Sequence, residues 1–156
     1  MRIDPIRTAI YALPLVLAAT LVLARDGASE RTRPKTDPSG TWLTQAGDAK
    51  VLVKPCGAAI CGKIVWLKQP VDGATGKPQV DDKNPDPALK ARRIVGLQIF
   101  LGMLPSTANA WSGRVYNADD GKSYASTVTL IDPGRLEVRG CAGPLCGSEV
   151  WTRAAR

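Results

Sequence analysis

The sequence predicts an all-β protein, an eight-stranded antiparallel up-and-down barrel. Three observations carry that prediction. Short runs rich in β-branched and aromatic residues recur along the chain, each closed by turn residues. No amphipathic helical pattern longer than two turns interrupts them. Most runs are joined by connections short enough for hairpins, and closing such a meander into a barrel removes both sheet edges.

The first run is TWLTQ (41–45), ended by AGD, and the second is KVLVK (50–54), ended by a cysteine turn. KIVWLK (63–68) stops at Pro70. IVGLQIFLGML (94–104) is apolar enough to resemble a helix, but its internal glycines and the alternation of Val95, Leu97, Ile99 and Leu101 favour a strand. AWSGRVYN (110–117) ends at ADDG, KSYASTVTLI (122–131) at DPG, and RLEVRG (135–140) at a second cysteine turn; SEVWTR (148–153) closes the set. DPALKARR (86–93) is expected to form a single helical turn.

The chain of 156 residues is long enough for one domain with a real core. Its start reads as a targeting segment. Arg2 and Arg7 precede the apolar stretch Thr8–Ala24, which has the length of a secretory h-region and is short for a membrane span. Val22 and Ala24 fit a cleavage site, so residues 1–24 are expected to be a signal peptide. An uncleaved N-terminal anchor is the alternative. Polar, proline-punctuated residues 25–39 read as a flexible tail, and residues 40–153 as the barrel domain. No stable membrane span is expected after cleavage, and the protein is expected to be exported, either periplasmic or secreted.

The formal net charge is +7, but the bases are scattered and no aromatic–basic interleaving occurs. Nucleic-acid binding is therefore not expected. There is no histidine, which removes Ser-His and Cys-His nucleophile pairs and the commonest metal ligand. Catalytic residues, metal and cofactor are accordingly read as none.

CGAAIC (Cys56–Cys61) and CAGPLC (Cys141–Cys146) each hold two cysteines four residues apart. In an exported chain such pairs oxidise. A four-cysteine zinc site is formally compatible with the spacing, but strand parity opposes it. Successive turns alternate between barrel ends, so the first pair falls at the bottom, where strand 1 starts, and the second at the top. They are a barrel length apart. The pairing that follows is Cys56–Cys61 and Cys141–Cys146, each bracketing a hairpin loop.

The same parity brings Trp42, Trp111 and Trp151 to the bottom, where Arg153 would stack over Trp42. A G-x-W (Gly40–Trp42) with a late arginine looks like the lipocalin and calycin arrangement.

CGAAICGKIVWLKQPVD, NPDPALKARRIVGLQI, WSGRVYNADDGKSY and CAGPLCGSEVWTR together resemble the bacterial "domain of unknown function 2147" family, from about Gly40 to Arg153. The resemblance implies an exported, lipocalin-like barrel and no established reaction. Arg93 and Ala118 stand where family prolines are expected, both beside turns.

The long connection Gln69–Arg93 lies at the top with NADDG (117–121). Long loops in compact domains are usually functional or disordered. Asp82, Asn84 and Asp86 have the 1, 3, 5 spacing of a calcium loop, but Pro87 and Arg93 replace its glycine and its bidentate glutamate. Asx-turns and proline corners account for the same residues. Trp66, Asp82, Asn84, Asp86 and Asp120 are the candidate ligand-binding residues, with Trp66 also readable as core because Val65 and Leu67 flank it. The expected function is binding of a small apolar or amphipathic molecule in the barrel. An envelope protein-interaction module, its partner unspecified, is the alternative, and a lid-loop enzyme comes third.

Overall fold

The computed structural model describes residues 37–155. The predicted signal peptide and nearly all of the predicted tail lie outside the described residues. Eight strands close into one antiparallel barrel in sequence order. They are β1 (Gly40–Leu43), β2 (Ala49–Cys56), β3 (Ala59–Leu67), β4 (Phe100–Pro105), β5 (Ala110–Asn117), β6 (Lys122–Asp132), β7 (Arg135–Ala142) and β8 (Leu145–Arg153). Closure is made by β1 against β8, with Trp42 opposite Arg153 and Leu43 opposite Thr152. Hairpins β2–β3, β5–β6 and β7–β8 run in long register without helices between them. Among the described residues the one helical element is the single 3-10 turn α1 (Pro87–Leu89), capped by the Asp86 side chain accepting from the Ala88 N–H. No described helix is long and apolar enough to cross a membrane.

The inner face follows the period-two alternation of strands. Val51 and Val53 of β2, Ile60 and Ile64 of β3, Val128 and Leu130 of β6, and Leu136 and Val138 of β7 are all buried. Phe100 and Met103 fill the centre, and the Phe100 ring stacks on Trp151 with centroids 5.8 Å apart. Gly62 exists to admit that ring: a Cβ there would lie 2.6 Å from Phe100 Cδ2. The lower barrel is thus filled by side chains.

The barrel foot is an aromatic plug. Trp42, Trp111 and Trp151 are buried, and the Arg153 guanidinium lies 4.2 Å from the Trp42 ring centre. Arg153 also donates to the carbonyls of Ser39 and Pro133, while Trp42 Nε1 donates to Pro38 O at 2.9 Å. One side chain therefore ties together the entry to β1, the β6–β7 turn and the end of β8. Gly40 leaves the space that the guanidinium occupies.

Two expectations change. The strand expected over 94–104 begins at Phe100; residues 94–99 instead follow β3 irregularly, through Gly96 N to Ile64 O and Ile99 N to Gly62 O. The expected alternation fails accordingly: Leu97 and Ile99 are buried, whereas Val95 and Leu101 are exposed. Glycines at positive φ, Gly96 and Gly102, break the pleat on either side.

Trp66 is not core. The β2–β3 register steps from Lys50↔Trp66 to Val51↔Ile64, so Val65 is an extra, bulged residue. The bulge reverses the alternation and turns Trp66 onto the outer face with Lys50. Val65 and Trp66 are 39% and 40% exposed, and Lys50 Nζ sits 5.1 Å from the indole centre.

Candidate site at the upper rim

The connection between β3 and β4 is ordered as a strap. Short bridges Val71↔Pro78 and Val80↔Arg93 fold it on itself. The strap then packs across the outside of β5. In the unbroken β5–β6 register, Trp111, Gly113 and Val115 face inward with Val128, Ser126 and Tyr124, so Tyr116 faces outward. Its burial comes from the strap.

The contact is a buried polar knot. Asp81 has no exposed surface. Its Oδ1 accepts from the Tyr116 hydroxyl at 2.6 Å. Its Oδ2 accepts from Asn84 Nδ2 at 2.8 Å and from Arg92 Nε at 2.8 Å, with a second guanidinium nitrogen at 2.7 Å. Asn84 Nδ2 also donates to the Tyr116 hydroxyl oxygen at 2.9 Å. Arg92 in turn lies 5.3 Å from the Tyr116 ring centre. Burial of Asp81 opposes its charge, but donation by Tyr116, Asn84 and Arg92 outweighs it and holds the carboxyl below the usual carboxylate range. Burial and the adjoining carboxylate push the Tyr116 hydroxyl up. A second fastener lies beside the knot. Gly121, at positive φ in the β5–β6 turn, lets the Lys83 carbonyl approach so closely that no Cβ could be accommodated.

The knot forms one wall of a solvent-open cleft of about 720 Å³. Asn84, Pro85 and Arg92 of the strap line it on one side. Arg114 and Tyr116 of β5, Gly121 to Tyr124 at the start of β6, and Cys141 to Gly143 at the second disulfide turn supply the rest. Arg114 donates to Ser123 O at 3.1 Å. Tyr124 donates to the Asp120 carboxylate, and that bond, first among its influences, lowers the Asp120 pKa and raises that of Tyr124. A smaller cavity of about 360 Å³ lies over β5–β7, between Ser112, Ala125, Thr127 and Arg139.

The disulfides are Cys56–Cys61 and Cys141–Cys146, at opposite ends of the barrel, and no described cysteine is free. Cys141 and Cys146 face each other directly in the β7–β8 register, so the bridge fixes the turn that closes the cleft.

The candidate ligand residues separate. Asn84 is buried in the knot and lines the cleft. Asp120 stands behind Tyr124 at its border. Asp82 is exposed and paired with Lys83, and Asp86 caps α1; neither lines the cleft, and neither does Trp66. Asp82, Asn84 and Asp86 do not converge, because the Asn84 amide turns inward and its Oδ1 accepts from the Asp86 N–H. Among the described residues no cluster of three or more metal-ligating side chains forms. Sequence reasoning missed Asp81, Arg92, Arg114, Tyr116, Lys122 and Tyr124. The outward alternation of Arg114 and Tyr116 on β5 was the available signal for two of them.

Residues 40–153 match the family described as "Uncharacterized protein conserved in bacteria (DUF2147)". No curated protein matches the chain. Among solved structures, the chain is similar to protein HP1028 from Helicobacter pylori, described as belonging to the lipocalin family. The two share 21% identity and a TM-score of 0.64, over 77% of this chain and 84% of the other. That likeness establishes a shared barrel fold.

Proposed function

The chain belongs to the bacterial DUF2147 family, and for this member we propose a small-molecule binding role at the upper rim rather than inside the barrel. The observation that carries this reading is the pairing of a lower barrel filled by side chains with a cleft of about 720 Å³ whose walls are fixed by the Asp81 knot and a disulfide. Pockets of a few hundred cubic ångströms suit small ligands. Phe100, Met103, Trp42 and Leu136 are fully buried and pack the lower barrel, which favours the rim over the interior as the place where a ligand binds. A polar or amphipathic ligand suits the rim. The two disulfides support export to an oxidising compartment, the periplasm or the exterior, with residues 1–24 as the signal and 25–39 as the tail.

One observation favours a second reading, an envelope protein-interaction module. Leu145 is 77% exposed at the tip of the second disulfide turn, beside the cleft. Native mass spectrometry of the protein recovered from a bacterial envelope separates the two. A retained small molecule that Arg114→Gln abolishes supports the rim site. A bare small-molecule spectrum with a stoichiometric protein partner, lost on Leu145→Asp, overturns it in favour of the second reading.

A further inference from the structure

We propose that the rim cleft takes a small anion, a carboxylate or phosphate group carried on a polar body, with Arg114 and Lys122 as the binding cations. The inference rests on the rim reading and narrows it to a ligand class. Among the described residues, three bases and no acid line the cleft: Arg92, Arg114 and Lys122. They are not equivalent. Arg92 spends Nε and one terminal nitrogen on buried Asp81, which cancels its charge and fixes the fork against Tyr116. Arg92 is a positioning residue for the wall. Arg114 uses one donor on Ser123 O and makes no ion pair among the described residues, as is also true of Lys122. A guanidinium with spare donors and an ammonium lining the same cleft suit the oxygens of a carboxylate or phosphate. Recessed walls strengthen such charges relative to open surface.

The charge opposing an anion is Asp120, with Asp119 beside it on the same turn. Asp120 accepts from the Tyr124 hydroxyl and the Lys122 N–H, which draws its oxygens toward the turn, and it does not line the cleft. It still reduces the field there. Affinity is therefore modest and falls with added salt.

The test is calorimetric and NMR titration of the oxidised protein with inorganic phosphate and, separately, citrate. Arg114→Gln and Lys122→Gln should each weaken binding about 10-fold. Arg139→Gln, on the same sheet but outside the cleft, should leave it unchanged. Asp120→Asn keeps one acceptor for the Lys122 N–H, lets its amide donate to the Tyr124 hydroxyl oxygen, and removes the opposing charge, so it should tighten binding several-fold, a gain that a purely structural role would not give. Vesicles of phosphatidylglycerol against phosphatidylcholine identify the anion's source: capture by phosphatidylglycerol, competed by phosphate, assigns a lipid headgroup, and its absence alongside phosphate or citrate binding assigns a free anion. Affinities unchanged in both Arg114→Gln and Lys122→Gln overturn the inference. A retained neutral molecule at the cleft, without phosphate or citrate affinity, overturns the anion while leaving the rim reading. Retention of no small molecule and no anion affinity defeat both.

Discussion

Replacing Asp81 by Asn should loosen the strap and lower the melting temperature by roughly 10 °C at neutral pH. The substitution is isosteric, so packing is kept and only the hydrogen-bond polarity changes. The retained Oδ1 can still accept from Tyr116. The new amide nitrogen, however, faces Asn84 Nδ2 and the Arg92 guanidinium, both donors. Breaking one side of a buried ion pair costs about 3–5 kcal/mol. Arg92 is 37% exposed and regains some hydration, which argues for the lower end, about 3 kcal/mol. A domain of this size loses roughly 3–5 °C per kcal/mol. The pH dependence gives a second check. The folded carboxyl titrates below its unfolded value, so the knot's stabilisation is complete above about pH 4 and is lost as pH falls through the lowered folded value. Circular-dichroism melts of both proteins at pH 7 and at successively lower pH should show the gap shrinking in acid. Hydrogen exchange should locate the faster-opening amides within 79–93. A drop under 2 °C, or a gap independent of pH, would refute the claim that a charged Asp81 fastens the strap.

Gly62→Ala should destabilise the barrel by about 1–3 kcal/mol in denaturant titration, because its Cβ meets the Phe100 ring at 2.6 Å; a neutral result would mean that the ring is free to shift. Trp42→Phe removes the indole donor to Pro38 O and part of the Arg153 stack, and should cost about 2–3 kcal/mol. Trp66→Phe, on the outer face, should cost under about 0.5 kcal/mol and leave binding unchanged; equal losses for the two would contradict the bulge at Val65. Mild reduction of both disulfides should lower stability by about 2 kcal/mol each, and exchange of Ala142 and Gly143 amides should rise most at the top turn if the bridge holds the cleft wall.

The barrel was legible because its information is local. Period-two runs and glycine or aspartate turns mark each hairpin, and parity alone then puts Cys56–Cys61 and Cys141–Cys146 at opposite ends. The bulge at Val65 was not legible. One extra residue reverses the face of Trp66 without altering the composition of the run. The Gly96 and Gly102 breaks hid the true start of β4 in the same way. The site was harder still. Tyr116 is 35 residues from Asp81 in sequence, and Arg92 is 11. Nothing in DDKNPDP marks Asp81, rather than Asp82 or Asp86, as the acid that turns inward. That choice is made by the strap's pairing, Asp81 N to Arg92 O, which fixes its direction over β5.

The most direct test of the rim site is amide shift mapping on isotope-labelled protein with the molecule that native mass spectrometry retains. Binding at the rim predicts perturbations at Arg92, Arg114, Lys122, Tyr124 and Ala142, with Val53, Phe100, Met103 and Leu136 undisturbed. Perturbations centred on those four interior residues would place the ligand inside the barrel and contradict the account.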